Sequence, residues 1–262
     1  MFCLIVGLLY LAVFVQGTNR QNSLRVQAGR RETLTVNSGR PVAEAAWELE
    51  KKYGWVITYE DPIYVNSGEI VDVTTQVRRD LDHYKPGEAP RVFVPKGGEL
   101  SISFNVNSDT GRPVEPPASV MLQILNANSA GGYPGQFRLK IDGLILHIIP
   151  TAYKDRSGAL VPQQSVLDTV ITIPSQERSG RQSLQLLCDV VSRMTQMKMD
   201  FGTFDPNLFS QSRNHVGVKR EKARVFLVKL LESVNTYTRH SWRLLYDPTM
   251  RNYFLNIHPV PG

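Results

Sequence analysis

Residues Thr33–Tyr59 carry the pattern that decides the fold, TLTVNSGRPVAEAAWELEKKYGWVITY. Polar and apolar residues alternate over 33–36, which predicts a short strand. Pro41 then opens a helix that Gly54 ends, and the apolar residues on one face of this helix are Val42, Ala45, Ala46, Leu49 and Tyr53. The apolar run 55–59 predicts a second strand. The stretch therefore indicates a β-α-β unit with an amphipathic helix.

The chain after this unit predicts two strands, a helix and a hairpin. The alternating runs 70–75 and 100–106 flank a segment rich in Pro and Gly, and they resemble an inserted pair of strands. A helix is expected from Pro117 to about Asn128. Asp142-Gly143 then joins two apolar runs, 137–141 and 144–149, and this dipeptide is the strongest hairpin signal in the sequence.

The same plan recurs further along the chain. Residues 168–173 predict a strand, Ser179 and Gln182 have the spacing of a capping box before a helix over 184–194, and 198–201 predict a short strand. A second amphipathic helix and a hairpin follow, over 223–234, 241–246 and 252–257. The fold class is therefore α+β, with two weakly repeated halves whose amphipathic helices pack on mixed or antiparallel sheets.

The chain has five predicted segments. These are a signal peptide over 1–17, a flexible polar leader over 18–31, a first α+β half over 32–150, a linker over 151–165 and a second α+β half over 166–262.

The N-terminus predicts export. Phe2–Val15 is a charge-free apolar run, and a helix of this length spans about 21 Å, less than the hydrocarbon core of a membrane. We therefore expect a signal peptide cleaved after Gly17 rather than a retained anchor, and a periplasmic or secreted location. Since no later apolar run approaches a spanning length, the mature chain is expected to have no stable membrane span.

Part of the first half resembles a known module. Val36–Ala45, Leu49 and Tyr53–Tyr59 are similar to the short N-terminal domain of secretins and TonB-dependent receptors, over 32–60 of this chain. The second half is similar more faintly, and the whole chain resembles exported bacterial proteins of unassigned activity. The resemblance implies an envelope protein whose small α+β modules serve protein contacts and assembly. It carries no catalytic residue.

The charged residues offer one candidate binding site. The net charge of +6 favours acidic partners weakly. The spread of the charges along the chain and the export signal argue against nucleic-acid binding. Lys219, Arg220, Lys222 and Arg224 cluster at a predicted helix N-terminus, where the helix dipole disfavours cations. Such a cluster fits an anionic envelope component or an envelope protein, although a solvated face would have the same composition. Tyr133, in a Gly-rich loop, is a second candidate contact, unless the loop is only a turn.

The sequence predicts no catalytic, cofactor or metal site. The histidines are scattered, and the sequence contains no HExxH, CxxC, GxSxG or Walker motif. Cys188 lies in a helical apolar stripe and is expected to be a buried small hydrophobe rather than a nucleophile. His147 is expected to face solvent or to make one satisfied hydrogen bond.

The sequence is compatible with three functions. The first is a non-enzymatic binding or assembly module of the bacterial cell envelope. The second is a small hydrolase acting on an envelope polymer through carboxylates such as Asp80 and Asp82. The third is a small-ligand carrier that uses a groove between the halves.

Overall fold

A computed structural model describes residues 29–85, 87–234 and 237–261. The helices are α1 (Pro41–Tyr53), α2 (Thr74–Val77), α3 (Pro117–Ala130), α4 (Gly180–Thr195), α5 (Pro206–Gln211) and α6 (Ala223–Val234). The strands before residue 165 are β1 (Arg30–Ser38), β2 (Val56–Glu60), β3 (Ile70–Asp72), β4 (Phe93–Pro95), β5 (Gly98–Val106), β6 (Gln136–Asp142), β7 (Ile145–Lys154) and β8 (Leu160–Pro162). The later strands are β9 (Val170–Ile173), β10 (Arg178–Ser179), β11 (Met199–Phe201), β12 (Arg213–Asn214), β13 (Val218–Lys222), β14 (His240–Asp247) and β15 (Asn252–Pro259).

A mixed sheet drawn from both halves forms the centre of the molecule. Its strands lie in the order β11-β15-β14-β2-β7-β6, and β8 pairs with the end of β7. The halves meet where β14 runs parallel to β2, with Arg243 opposite Tyr59 and Leu244 opposite Glu60. The backbone N–H of Asp61 extends this pairing by donating to Leu244 O at 2.8 Å. The predicted α+β class is confirmed, and the two halves share one sheet.

Each half has the same topology. In the first half, β1 pairs antiparallel with β5, β2 pairs parallel with β7, and β6 pairs antiparallel with β7. In the second half, β9 pairs antiparallel with β13, β11 pairs parallel with β15, and β14 pairs antiparallel with β15. The weak repeat predicted from the sequence is therefore present. However, β1 and β2 lie in different sheets, so the strands on either side of α1 do not pair in one β-α-β sheet.

The helices of the two halves cover opposite faces of the shared sheet. Residues opposite each other in a parallel pair point to the same face, so Tyr59 lies with Arg243 and Glu60 lies with Leu244. Tyr59 belongs to the core that contains the buried face of α1 and α3, whereas Leu244 belongs to the core of α4 and α6. Two apolar cores thus form, one on each face.

Local signals set the helix ends as expected. Gly54 takes a left-handed φ of 66° after α1, and its N–H donates to Glu50 O. The side chains of Ser179 and Gln182 form the capping box that begins α4. No helix in the described ranges has both the length and the apolar character needed to cross a membrane. The apolar run 2–15 and most of the leader lie outside the described residues.

Three predicted segments differ from the structure. The strand expected over 70–75 ends at Asp72, because the Asp72 side chain accepts from the Thr74 N–H and turns the backbone before α2 starts at Thr74. This strand, β3, pairs with β4, and the strand over 100–106, within β5, pairs with β1. The two strands therefore do not form the expected inserted pair. Arg30 and Arg31, assigned to the leader, belong to β1. The expected linker 151–165 contains the end of β7 and all of β8, which pair with each other.

Candidate functional site

The predicted basic cluster is split between a strand and a helix. Lys219, Arg220 and Lys222 lie on β13, where pairing with β9 extends the strand past a bulge at Arg220. Helix α6 begins only at Ala223. Arg224 follows in its first turn and is 2% exposed. The structure therefore differs from the expected placement of all four cations at a helix N-terminus, because Lys219, Arg220 and Lys222 belong to β13.

Arg224 lies at the centre of a buried ionic network. Its guanidinium donates to the carboxylate of Glu60, which ends β2, and to Asp168 Oδ1 at 3.3 Å. The Ser165 hydroxyl donates to Glu60 and accepts from Arg224 Nη2 at 3.3 Å. Burial alone would lower the pKa of Arg224, but these carboxylates raise it. Arg224 therefore holds α6 of the second half to β2 of the first half.

Asp168 gathers further cations around Arg224. It pairs with Arg138 of β6 at 3.1 Å and with Lys222 at 3.4 Å. Burial would raise the pKa of Asp168, but the charges of Arg224 and Lys222 lower it. This carboxylate therefore stays ionised at neutral pH. It pairs with three cations, Arg138, Lys222 and Arg224.

Two more carboxylates of the first half bind groups of the second half. Glu50 accepts from Arg243 Nη2 at 2.6 Å and lies 2.9 Å from His258 Nε2. Asp61 accepts from the Tyr246 N–H at 2.8 Å and from Arg40 Nε at 2.6 Å. We call Glu50, Glu60 and Asp61 the junction carboxylates. The oxygens of all of them are occupied by second-half or neighbouring donors, which suits a structural joint.

Tyr133 anchors its own loop. Its hydroxyl donates to Glu99 O at 2.6 Å. Its ring lies over Gly98 and Gly131, so close that a Cβ at either position would approach a ring atom within 2.6 Å. Tyr133 does not line the groove described next. The structure therefore does not bring this residue together with the basic side chains.

A groove of about 770 Å³ lies between α6 and the sheet beside the β6–β7 hairpin. Its floor is formed by Val56, Ile145 and Trp242, and its α6 wall by Val225 and Val228. The charged residues along it are Lys140, Asp142, Lys222, Arg224, Lys229, Glu232 and Arg239. The groove therefore combines an apolar interior with a mostly cationic margin, and it lies between the halves.

His147 lies beside the floor of the groove. Its ring centroid is 5.5 Å from that of Trp242, and its Nδ1 lies 2.8 Å from Thr58 Oγ1. His147 Nε2 and Trp242 Nε1 are buried and have no hydrogen-bond partner among the described residues. Burial, with smaller contributions from Arg224 and Lys140, lowers the pKa of His147 to about 3. The expectation that His147 faces solvent was wrong, because the residue is buried. The expected hydrogen bond is present at Nδ1, whereas Nε2 has no partner among the described residues.

A side chain caps the β11 edge of the central sheet at Met199. The Met199 N–H donates to Ser192 Oγ at 2.8 Å, and the same hydroxyl donates to Met199 O at 3.3 Å. Beyond the strand, on the side that faces β15, the Thr203 N–H donates to Asn256 Oδ1 at 2.9 Å. β11 has three residues, and a short edge strand whose first residue is bonded by a side chain is a poor template for further pairing.

The hairpin turn determines which backbone groups of β6 face outward. Gly143 takes φ 56° at the first central position, as a type II′ turn requires. A two-residue turn of this type makes Asp142 and Ile145 a hydrogen-bonded pair. Because bonded pairs alternate along an antiparallel ladder, Lys140 bonds to β7, whereas Ile141 directs its N–H and C=O away from the sheet.

The β6 edge is open. β6 is the last strand in the sheet order, and within the described residues no other strand pairs with its outer side. Ile141 on this edge is 57% exposed, and Leu144 in the turn is 83% exposed. An exposed edge with apolar side chains is a template for an added strand.

Cys188 and Glu69 are interior groups with raised pKa values. Within the described ranges, no three His, Cys, Asp or Glu side chains converge in a way that could hold a metal ion. Burial raises the pKa of Cys188 to about 12, as expected for a buried thiol. Burial also raises the pKa of Glu69, but this carboxyl pairs with Lys154 and lies outside the groove.

Comparisons with protein-family models, curated proteins and solved structures find no match to this chain.

Proposed function

We propose that the protein is a non-enzymatic binding and assembly module of the bacterial cell envelope, which captures an extended segment of a protein partner at the open β6 edge. The observation that carries this proposal is the contrast between the two edges of one sheet. The outer side of β11 is capped at Met199 by the Ser192 hydroxyl, whereas β6 leaves outward backbone groups beside exposed Ile141. The apolar N-terminal run supports the envelope location.

The junction between the halves supports edge pairing as the mode of assembly. β14 and β2 come from different halves, yet they join as parallel edge strands. β14 and β6 occupy equivalent positions in the repeat, since each is the outer strand of its hairpin. β14, the counterpart of β6 in the second half, therefore already accepts a neighbouring strand, β2, along its outer side. Strand addition gives affinity through backbone bonds, and side chains supply specificity.

Replacing Ile141 with proline is expected to abolish partner capture and leave the fold intact. Proline removes an N–H that points away from the sheet, so the bonds between β6 and β7 remain. The tagged full chain is expressed in its own host, and stoichiometric proteins from the envelope fraction are identified by mass spectrometry. Ile141→Thr is the matched control, because it shortens the same side chain and keeps the N–H.

The expected result is a partner recovered with the wild type and Ile141→Thr but lost with Ile141→Pro. The melting temperature of Ile141→Pro is measured in parallel, so that loss of capture is scored on folded protein. Equal recovery by both variants would contradict capture at β6. Recovery of the chain from the cytoplasm would contradict the envelope location.

A small-ligand carrier is the second candidate, and the groove beside α6 favours it. Its volume of about 770 Å³ lies within the usual range of ligand sites. The hydrolase alternative needs a carboxyl with a raised pKa in a cleft, and Glu69 does not lie in this groove.

A further inference from the structure

We infer that the groove between α6 and the β6–β7 hairpin binds an amphipathic anion, with an unbranched alkyl chain along the apolar floor and one acidic head group at the cationic margin. This inference goes beyond capture of a protein segment at β6. Ile141, which tests that function, does not line the groove.

The apolar part of the groove comes from a second stripe on α6. The core stripe of this helix includes Phe226, Leu227 and Leu230, which are fully buried. Val225 and Val228, three residues apart, lie on a neighbouring face and line the groove. The opposite side is the sheet, so an alkyl chain placed there contacts carbon on both sides.

The floor carries no charge at neutral pH. Trp242 is buried beneath the surface of the floor, and His147 beside it is uncharged because burial holds its pKa at about 3. Neither Trp242 Nε1 nor His147 Nε2 is reached by water, since both atoms are buried. A ligand segment over this floor gains nothing from polar atoms. The interior therefore fits a hydrocarbon rather than a sugar or a peptide backbone.

The margin of the groove favours a negative head group. Apart from buried Arg224, its cations are Lys140, Lys222, Lys229 and Arg239, and its carboxylates are Asp142 and Glu232. The lysine side chains are 40%, 48% and 45% exposed, in ion pairs of 3.2–3.4 Å with Asp142, Asp168 and Glu221. The pairs of Lys140 and Lys229 are exposed on both sides, weak and salt-screened, so these two lysines can turn toward a ligand at little cost, whereas Lys222 holds buried Asp168. Among the residues that line the groove, cations outnumber carboxylates, and this gives charge complementarity to an anion.

The test is titration calorimetry of the purified full chain with octanoate, decanoate and dodecanoate below their micelle concentrations. Each methylene buried along the floor raises affinity about four-fold, so each two-carbon step is expected to raise it roughly fifteen-fold. Dodecanol and dodecyltrimethylammonium carry the same chain with a neutral and a positive head. We expect both to bind at least five-fold more weakly than dodecanoate.

Variants locate the site. Val228→Trp fills the groove, and Leu144→Asp places a negative charge on the exposed lip, where the fold is not at risk. Each is expected to weaken dodecanoate binding at least ten-fold. Lys229→Glu is expected to weaken dodecanoate binding but not dodecanol binding. Lys51→Glu is the matched control, because Lys51 is also a half-exposed helical lysine in an ion pair and lies outside the groove.

Several results would overturn the inference. These are affinity that does not rise with chain length, wild-type binding by folded Val228→Trp and by Leu144→Asp, or equal effects of Lys51→Glu and Lys229→Glu. The last would indicate attraction to net charge alone. Ile141→Pro is expected to bind dodecanoate normally, so failure of this inference and failure of partner capture give different patterns.

Discussion

Replacing Arg224 with methionine is expected to lower the free energy of unfolding by about 3–5 kcal/mol, the cost of leaving buried carboxylates without their cation. Glu60 is 1% exposed and would keep only the Ser165 hydroxyl as a donor. Asp168 would keep Arg138 and Lys222, so most of the loss falls on Glu60. Urea unfolding followed by tryptophan fluorescence measures the change.

Lys219→Met is the control for this prediction. Lys219 belongs to the same basic run but is exposed on β13, so its replacement is expected to change stability by less than about 0.5 kcal/mol. Removing both charges in Arg224→Met/Glu60→Met is expected to recover much of the single-variant loss, because no unpaired charge remains. Equal effects of Arg224→Met and Lys219→Met would contradict the buried network.

Lowering the pH from 7 to 5 is expected to cost the wild type about 2 kcal/mol of unfolding free energy through His147. Its folded pKa of about 3 lies below the ordinary value of 6.5, so the neutral form is favoured in the folded state. The stability contribution is complete above pH 6.5 and is lost as the pH falls toward 3, because only the unfolded chain binds a proton in that interval. Urea unfolding at both pH values measures it.

His147→Asn isolates this contribution. An asparagine amide can replace Nδ1 in the bond to Thr58 and does not titrate. His240, whose pKa burial also lowers, remains in the variant and keeps its own smaller pH dependence. The variant is expected to lose about 2 kcal/mol less than the wild type between pH 7 and 5. Equal pH dependence in both proteins would show that His147 is protonated in the folded state.

The elements that follow from local sequence were predictable. Helix α1 has its apolar stripe, an opening proline and a closing glycine within one stretch, and α4 carries its own capping box. The β6–β7 hairpin needs only Asp142-Gly143 and its flanking runs. The repeated plan of the halves could also be predicted, since it is a sequence of such local elements.

Strand partners were not predictable from local pattern. β1 pairs with β5 and β2 with β14, and the Asp61–Tyr246 contact spans 185 residues. Such pairing is decided by how the two cores stack on opposite faces of the sheet, which leaves no trace in the spacing of nearby residues. The strand within the expected linker was not predictable for the same reason, because β8 is a strand only through its pairing with β7.

The candidate site was only partly predictable. The sequence singles out the basic run 219–224 by its charge. The member that joins the two halves is Arg224, which is buried. One sequence signal pointed to this: Arg224 lies next to Ala223 and two residues before Phe226, both in the core stripe of α6. Glu60 and Asp61 offered a matching signal, since they follow an apolar strand directly. Buried charges need partners, so the two clusters were candidates to meet.

The shared sheet is the central structural claim, and exchange of the Asp61 backbone amide tests it most directly. This N–H donates to Leu244 O at the β2–β14 junction. Native-state hydrogen exchange by NMR is expected to give it an opening free energy equal to that of global unfolding, because the junction opens only when both cores do. Exchange several kcal/mol easier than global unfolding, with the core amides of each half still protected, would show that the halves separate as independent domains.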